Sequence, residues 1–162
     1  MKVRLAGVTH ESILDGEGLR MVVFAQGCPH ACPGCHNPAT HDFDGGREGD
    51  TEQLLKELKE NVLEQGITLS GGEPFCQCAA MLELAKGAHA MGRDVWAYSG
   101  WTFEELLADE EKAELLRECD VLVDGQYVDE LRSLTLTFRG SRNQRVIGVQ
   151  QSLAEGEVIR RC

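Results

Sequence analysis

Long hydrophobic runs, aromatic side chains, proline and positive charge are all scarce in this chain of 162 residues. No apolar stretch approaches the roughly 20 residues of a membrane span, and no apolar signal core follows the N-terminus, so a soluble, cytoplasmic protein is expected. Lysine and arginine number 16 against 27 aspartates and glutamates, a formal net charge of −11. That balance argues against nucleic acid or an anionic membrane surface as the main partner. A complete eight-unit β/α barrel takes about 250 residues, so the chain is too short for one, yet long enough for a single substantial core. No internal repeat, linker or low-complexity segment divides it, and residues 1–162 are expected to form one domain. Nor does any nucleophile stand beside a convincing base, so no side chain is singled out as catalytic.

Cysteine, by contrast, is plentiful. Seven thiols are an odd number, which suits reduced cysteines and metal ligation better than a secreted disulfide framework. Three of them, Cys28, Cys32 and Cys35, form a CxxxCxxC pattern within Gln26 to Pro38, directly after the apolar run Leu19 to Ala25. Three of the four prolines, Pro29, Pro33 and Pro38, lie in the same stretch with Gly27 and Gly34. Proline fixes φ and lacks a donor, and glycine permits tight backbone paths, so this loop stays out of regular structure and can wrap a ligand. Thiolates are soft ligands for an iron-sulfur cluster or for zinc. A structural zinc takes four ligands, whereas a cubane cluster held by three cysteines keeps one iron open to a non-protein ligand. Zinc would have to recruit His30, His36, Cys76 or Cys78 as its fourth.

Hydrophobic patterning supplies a coarse map. Val3 and Leu5 alternate near the N-terminus, and Asp15-Gly16-Glu17-Gly18 signals a turn before the strand Leu19 to Ala25, whose run Val22-Val23-Phe24 suits cover on both faces. Thr40 to Gly49 is polar, glycine-rich and expected to be exposed. Asp50 with Gln53 marks a helix start, and Leu54, Leu55, Leu58 and Val62 mark its buried stripe, to about Gln65. Ile67 to Ser70 predicts a strand running into Gly71-Gly72-Glu73-Pro74. Met81, Leu84, Ala85 and Ala88 then predict a helix stopping near Gly92, and Asp94 to Tyr98 another strand. Thr102 with Glu105 forms a capping box, and Trp101 with Leu106 sits at staple spacing, for a helix from Phe103. Val121 to Val123 is the next strand. Beyond Gly125, Leu134 to Phe138, Val146 to Gln150 and the tail Glu157 to Arg160 have strand character, with no helix between them. Strands alternating with helices imply a parallel sheet joined by right-handed crossovers. The expected architecture is α/β: a partial, open β/α barrel with an irregular C-terminal section.

Ligands of such folds gather at the carboxyl ends of the strands. The cysteine loop, Gly71-Gly72-Glu73-Pro74, Tyr98-Ser99-Gly100 and Asp124-Gly125 each follow a strand, so all four should face one pocket. Gly71 and Gly72 let their peptide groups approach a ligand, Glu73 offers a carboxylate to an ammonium group, and Ser99 offers a hydroxyl to a ribose or carboxylate, or to its own turn. Cys76 and Cys78 read as thiols in the first turn of a helix, with a supplementary metal or redox site as the sharper alternative. Cys119 reads as a core thiol at a helix end and Cys162 as a free tail, while His10, His30, His41 and His89 show no partner. Arg132, Arg139, Arg142, Arg145, Arg160 and Arg161 concentrate positive charge in the C-terminal part, as for a partner-docking or carboxylate-binding surface. Asn143, Gln144 and Arg145 suit either orienting a partner's loop or a structural hydrogen-bond network.

CxxxCxxC after an early strand, followed by Gly-Gly-Glu-Pro, resembles the signature of the radical S-adenosylmethionine enzymes. Asp15 to Arg20, the run Cys35 to Pro38 with Asp42-Phe43, Ser70 to Phe75, Tyr98 to Thr102, Asp120 to Gly125 and Gly140 to Ile147 narrow it to the glycyl radical enzyme activases, in the branch that serves the anaerobic ribonucleoside-triphosphate reductase. Glu17 stands where a proline is usual and His41 where an aromatic is, departures that touch only local loop shape. The resemblance implies a radical S-adenosylmethionine type of fold and a 4Fe-4S cluster on Cys28, Cys32 and Cys35. S-adenosylmethionine would bind at the open iron, its amino group held by Gly71, Gly72, Glu73 and Pro74, its nucleoside meeting the backbone of Gly34, Cys35 and His36, and Ser99 adding a polar contact. The activity implied is that of an oxidoreductase that forms a 5′-deoxyadenosyl radical and abstracts hydrogen from a glycine of the reductase. Flavodoxin or another low-potential reductant would donate the electron. Alternatives are an activase of another glycyl radical enzyme, a small-molecule radical S-adenosylmethionine enzyme such as a deazapurine carboxylate synthase, or a non-catalytic metal-binding module.

Overall fold

A computed structural model describes residues 1–161; the expectation for Cys162 lies outside the described residues. β1 (Lys2–Ser12) and β2 (Arg20–Ala25) pair antiparallel, and β3 (Arg47–Asp50) adds antiparallel to the outer side of β1. The chain then runs through α1 (Thr51–Glu60), β4 (Gly66–Gly71), α2 (Cys78–Ala90), β5 (Asp94–Ser99), α3 (Phe103–Leu107), α4 (Glu110–Arg117) and β6 (Val121–Asp124). β2, β4, β5 and β6 are parallel, as the alternation implies. β7 (Arg145–Gly148) pairs antiparallel with β6 and leads into α5 (Val149–Glu155). The result is one open sheet of seven strands in the order β3-β1-β2-β4-β5-β6-β7.

The period-two pattern of the strands gives the sheet two different faces. Met21, Val23, Ala25, Ile67, Leu69, Val95, Ala97 and Leu122 belong to a continuous core that also takes in Leu54 and Leu58 of α1, Met81 and Leu84 of α2, Leu106 of α3, Leu115 of α4 and Val149 of α5. The five α-helices of the described residues therefore cover the same face. The other face carries Trp96, Val121, Val123 and Val146 in a smaller cluster with Tyr98 and Phe138. Arg20 lies fully buried on that face, donating to Thr68 Oγ1 at 2.8 Å and to the Ile67 carbonyl at 2.8 Å, and pairing with Asp94 at 2.7 Å. Burial lowers its pKa, and the Asp94 charge works against that shift.

Several local expectations are corrected. Helix α1 stops at Glu60, because the Asn61 side chain accepts from Leu63 N at 3.2 Å and its backbone turns extended, so Val62 is 83% exposed rather than part of the buried stripe. The helix expected from Phe103 is two helices: Asp109 accepts from Lys112 N at 3.0 Å and caps a second start. The glycine-rich passage ends in β3, whose residues pair with Lys2 to Leu5. Leu134 to Phe138 forms no strand, since β7 already occupies the free edge of β6; Phe138 instead sets its ring on Trp96 at 5.0 Å. The segment from Val146 leaves the sheet at Gly148 and becomes α5, a helix the sequence reading lacked, and the tail contributes only a bridge between Ile147 and Arg160.

Two histidines read as unpartnered from sequence are held by acids. His10 contacts Glu57 at 3.0 Å and the fully buried side chain of Glu64 at 3.1 Å, and His89 contacts Asp120 at 2.8 Å and Glu118 at 3.2 Å. Burial alone would lower both pKa values, but the hydrogen bonds and charges of these carboxylates outweigh it and raise them. A raised folded-state pKa contributes stability that is fully present below the unfolded value of about 6.5 and is lost as pH rises through the folded value. The unfolding midpoint should therefore fall as pH rises above about 6.5, and His10→Gln combined with His89→Gln should flatten that decline. A midpoint that rises over this window in the wild-type protein would contradict the assignment.

Candidate functional site

The cysteine loop leaves the sheet at the carboxyl end of β2. Gly27 N donates to the Thr40 carbonyl at 2.7 Å and Cys28 N to the His41 carbonyl at 3.2 Å, while the Gln26 amide donates to the Ala39 and Asp42 carbonyls at 2.9 and 2.7 Å. Its two ends are thus tied together at its base. Between them the prolines and glycines keep it irregular, with one short 3-10 turn at Pro38–Thr40. The adjoining end of β4 is packed onto the same base: Glu73 N donates to the Gly27 carbonyl at 2.8 Å, and a Cβ on Gly72 would fall 2.5 Å from that carbonyl oxygen. Gly72 is therefore required by approach of backbone to backbone.

Above these ends lies a cavity of about 250 Å³, lined by Cys28, Cys32, Cys35, Gly71, Gly72 and Ser99, with Tyr98, Gly100 and Gly125 completing the four strand ends. The single pocket expected from strand alternation is present, and it holds His36 as well. Gly34 lies beside it, lining a neighbouring hollow with Tyr127 and Asp129. Pro74 and Glu73 are buried beneath and do not line it. Cys28, Cys32 and Cys35 are half-buried and free, and burial pushes the Cys28 and Cys32 thiols up, so they must shed protons to bind metal. They are the only thiols lining the cavity among the described residues. Three soft donors on one wall fit an iron-sulfur cluster, whose irons sit at separate corners and accept thiolates that do not converge on a point. Among the described residues no three His, Cys, Asp or Glu side chains converge on a single-ion site.

Glu73 is the polar centre beneath the cavity. Its fully buried carboxylate accepts from His30 Nε2 at 2.7 Å, Gly100 N at 2.8 Å, Ser99 Oγ at 2.9 Å and Phe75 N at 3.0 Å. The carboxylate assigned to an ammonium group is thus engaged from within, and Ser99 is bonded to it. From sequence His30 reads as a candidate fourth zinc ligand with no partner of its own; its place on Glu73 is not foreseen there, and the only available signal is its position in the spacer between Cys28 and Cys32.

The C-terminal arginine-rich segment folds back onto the strand ends. Gln144 accepts from Gly140 N and Ser141 N at 2.9 and 3.1 Å and donates to the Gly125 carbonyl at 3.0 Å, while Asn143 donates to the Gln126 carbonyl at 2.7 Å. Arg145 pairs with buried Asp124 and with Glu104, which raises the arginine pKa and lowers that of Glu104. These three residues form the structural network of the two alternatives. Cys76 and Cys78 lie outside the cavity: Cys76 is exposed in a 3-10 turn, and Cys78, pushed up to about 12 by burial, donates to the Phe75 carbonyl at 3.0 Å. Cys119 is the core thiol expected, donating to the Leu115 carbonyl at 3.4 Å.

The span from the turn before β2 to the end of the sheet matches, over residues 14–147, a family model described as a 4Fe-4S single cluster domain. The activating protein of the anaerobic ribonucleoside-triphosphate reductase from Pasteurella multocida is 36% identical over 140 residues, which cover 82% of this chain and 89% of that protein. Proteins with the same description from Escherichia coli K12 and from Enterobacteria phage T4 are 34% and 33% identical, over 82% of this chain and 90% and 86% of theirs. The chain belongs to the family of anaerobic ribonucleoside-triphosphate reductase-activating proteins. Among its described residues no helix is long and apolar enough to cross a membrane.

Proposed function

We propose that this protein activates an anaerobic ribonucleoside-triphosphate reductase by radical S-adenosylmethionine chemistry, working in the cytoplasm as one domain of partial, open β/α barrel form. The observation that carries the reading is the meeting, among the described residues, of three thiols with the glycine-rich end of β4 on one cavity. Cys28, Cys32 and Cys35 would hold a 4Fe-4S cluster. A cluster held there would supply one-electron reduction of the sulfonium of S-adenosylmethionine, whose carbon-sulfur bond would break to give methionine and a 5′-deoxyadenosyl radical able to take hydrogen from a glycine of the reductase. Gly71 and Gly72 line the cavity where the methionyl group would lie, and from beneath them, beside buried Pro74, Glu73 would add negative charge for its ammonium. Gly34, Cys35 and His36 offer backbone to the nucleoside, and Ser99 keeps Glu73 in place. Among the described residues the α-helices cover one face of the sheet and the cavity takes in Tyr98, Val123 and Phe138 of the other, which supports the barrel reading. Flavodoxin or a similar low-potential donor would provide the electron. The test is to mix anaerobically reconstituted protein with the purified reductase, S-adenosylmethionine and a reductant. A glycyl radical signal on the reductase is expected, and its absence with a fully loaded cluster would refute the partner assignment.

Cys76 lies off the cavity, so Cys76→Ala should keep iron content and S-adenosylmethionine cleavage within about twofold of wild type. Loss of the cluster in that variant would promote Cys76 to a ligand.

A further inference from the structure

His30 lies midway in the spacer between Cys28 and Cys32, with only 6% of its side chain exposed. Its Nε2 donates to Glu73 Oε1 at 2.7 Å, and its Nδ1 accepts from Gln126 Nε2 at 3.3 Å. A carboxylate can only accept and an amide NH2 can only donate, so these partners hold the ring as the Nε2–H tautomer. The ring stands edge-on to Trp101 with 4.6 Å between centroids, and it fills the space a side chain at Gly100 would need, where a Cβ would come 2.6 Å from Nε2. Beside it, Ala31 has φ of 47°, a left-handed conformation that an L-residue keeps only where surrounding contacts over-determine it. The hydrogen bonds of the ring and its aromatic contact all reach outside the loop, to residues just beyond the ends of β4, β5 and β6.

We propose that His30 is a positioning residue that latches the cysteine loop onto these strand ends and thereby sets the placement of Cys28 and Cys32 for cluster binding. The inference rests on reading the loop as the cluster holder. Through Gln126, whose carbonyl is held by Asn143, the latch also ties the loop to the C-terminal segment. His30 transfers no proton in this role, since both ring nitrogens are occupied.

The test compares wild type with His30→Phe, which fills the space without a donor, and His30→Gln, whose amide reaches the same acceptor. In the metal-free proteins, alkylation of Cys28 and Cys32 under native conditions is followed by mass spectrometry. Both thiols should react about tenfold faster in His30→Phe, the effect of one buried charge-assisted hydrogen bond, and return to within about threefold of wild type in His30→Gln. After anaerobic reconstitution, iron loss to a chelator should follow the same order. Equal alkylation and iron-loss rates in wild type and His30→Phe would overturn the latch. If His30→Phe fails to fold, Gln126→Ala, at an exposed position, carries the test: faster alkylation of Cys28 and Cys32 supports the latch, and unchanged rates overturn it. A wild-type protein that takes up no cluster while its variants show the expected alkylation order would refute the cluster reading and leave the latch standing.

Discussion

Cys32→Ala should reduce S-adenosylmethionine cleavage to background, at least about a hundredfold below wild type, together with the iron and sulfide retained after anaerobic reconstitution. Cys32 is one of the three thiols lining the cavity, and none of the other described thiols does so. Cys78 and Cys119 are buried with their thiols donating to carbonyls, and Cys76 sits exposed in a short turn off the cavity, so none of these three is placed to replace Cys32. Elemental analysis and deoxyadenosine production measure the two effects. Retained cleavage in this variant would overturn the three-cysteine assignment.

Glu73→Ala should be among the most destabilising single substitutions in the chain. The change strands four donors in a buried setting: the Phe75 and Gly100 amides, the Ser99 hydroxyl and the His30 imidazole. Breaking one partner out of a buried charged network costs about 3–5 kcal/mol, which in a protein of this size lowers the unfolding midpoint by about 10 °C. Glu73→Gln keeps one acceptor oxygen but turns an NH2 toward donors, so it should lie between wild type and alanine. Thermal unfolding of the metal-free protein reads the order directly. A Glu73→Ala midpoint equal to that of wild type would contradict the buried network.

Much of the site was legible because its residues cluster along the chain. A three-thiol loop after an apolar strand, and a Gly-Gly-Glu-Pro turn after another, already specify a pocket at the carboxyl ends of a parallel sheet, and Cys28, Gly72, Ser99 and Gly125 do meet there. What escaped depended on contacts distant in sequence. His30 finds Glu73 across 43 positions and Gln126 across 96, and neither pairing leaves a local pattern. The same holds for His10 with Glu64. Gly72 showed the right residue for another cause, since its missing side chain admits the Gly27 carbonyl. The errors in the fold arose where a polar side chain overrode hydrophobic periodicity, as Asn61 did before Val62 and Asp109 did between α3 and α4. They arose also where strand-like residues met an edge already taken, as Leu134 to Phe138 did beside β7.

The most direct test of the cysteine loop as a radical-generating centre is a single anaerobic assay. Protein reconstituted with iron and sulfide is reduced with dithionite in the presence of S-adenosylmethionine, and 5′-deoxyadenosine is quantified alongside the electron paramagnetic resonance of the cluster. The expected result is deoxyadenosine formation with a cluster signal that changes shape when S-adenosylmethionine binds. Protein that carries about four irons per chain yet forms no deoxyadenosine and shows no change of signal would contradict it.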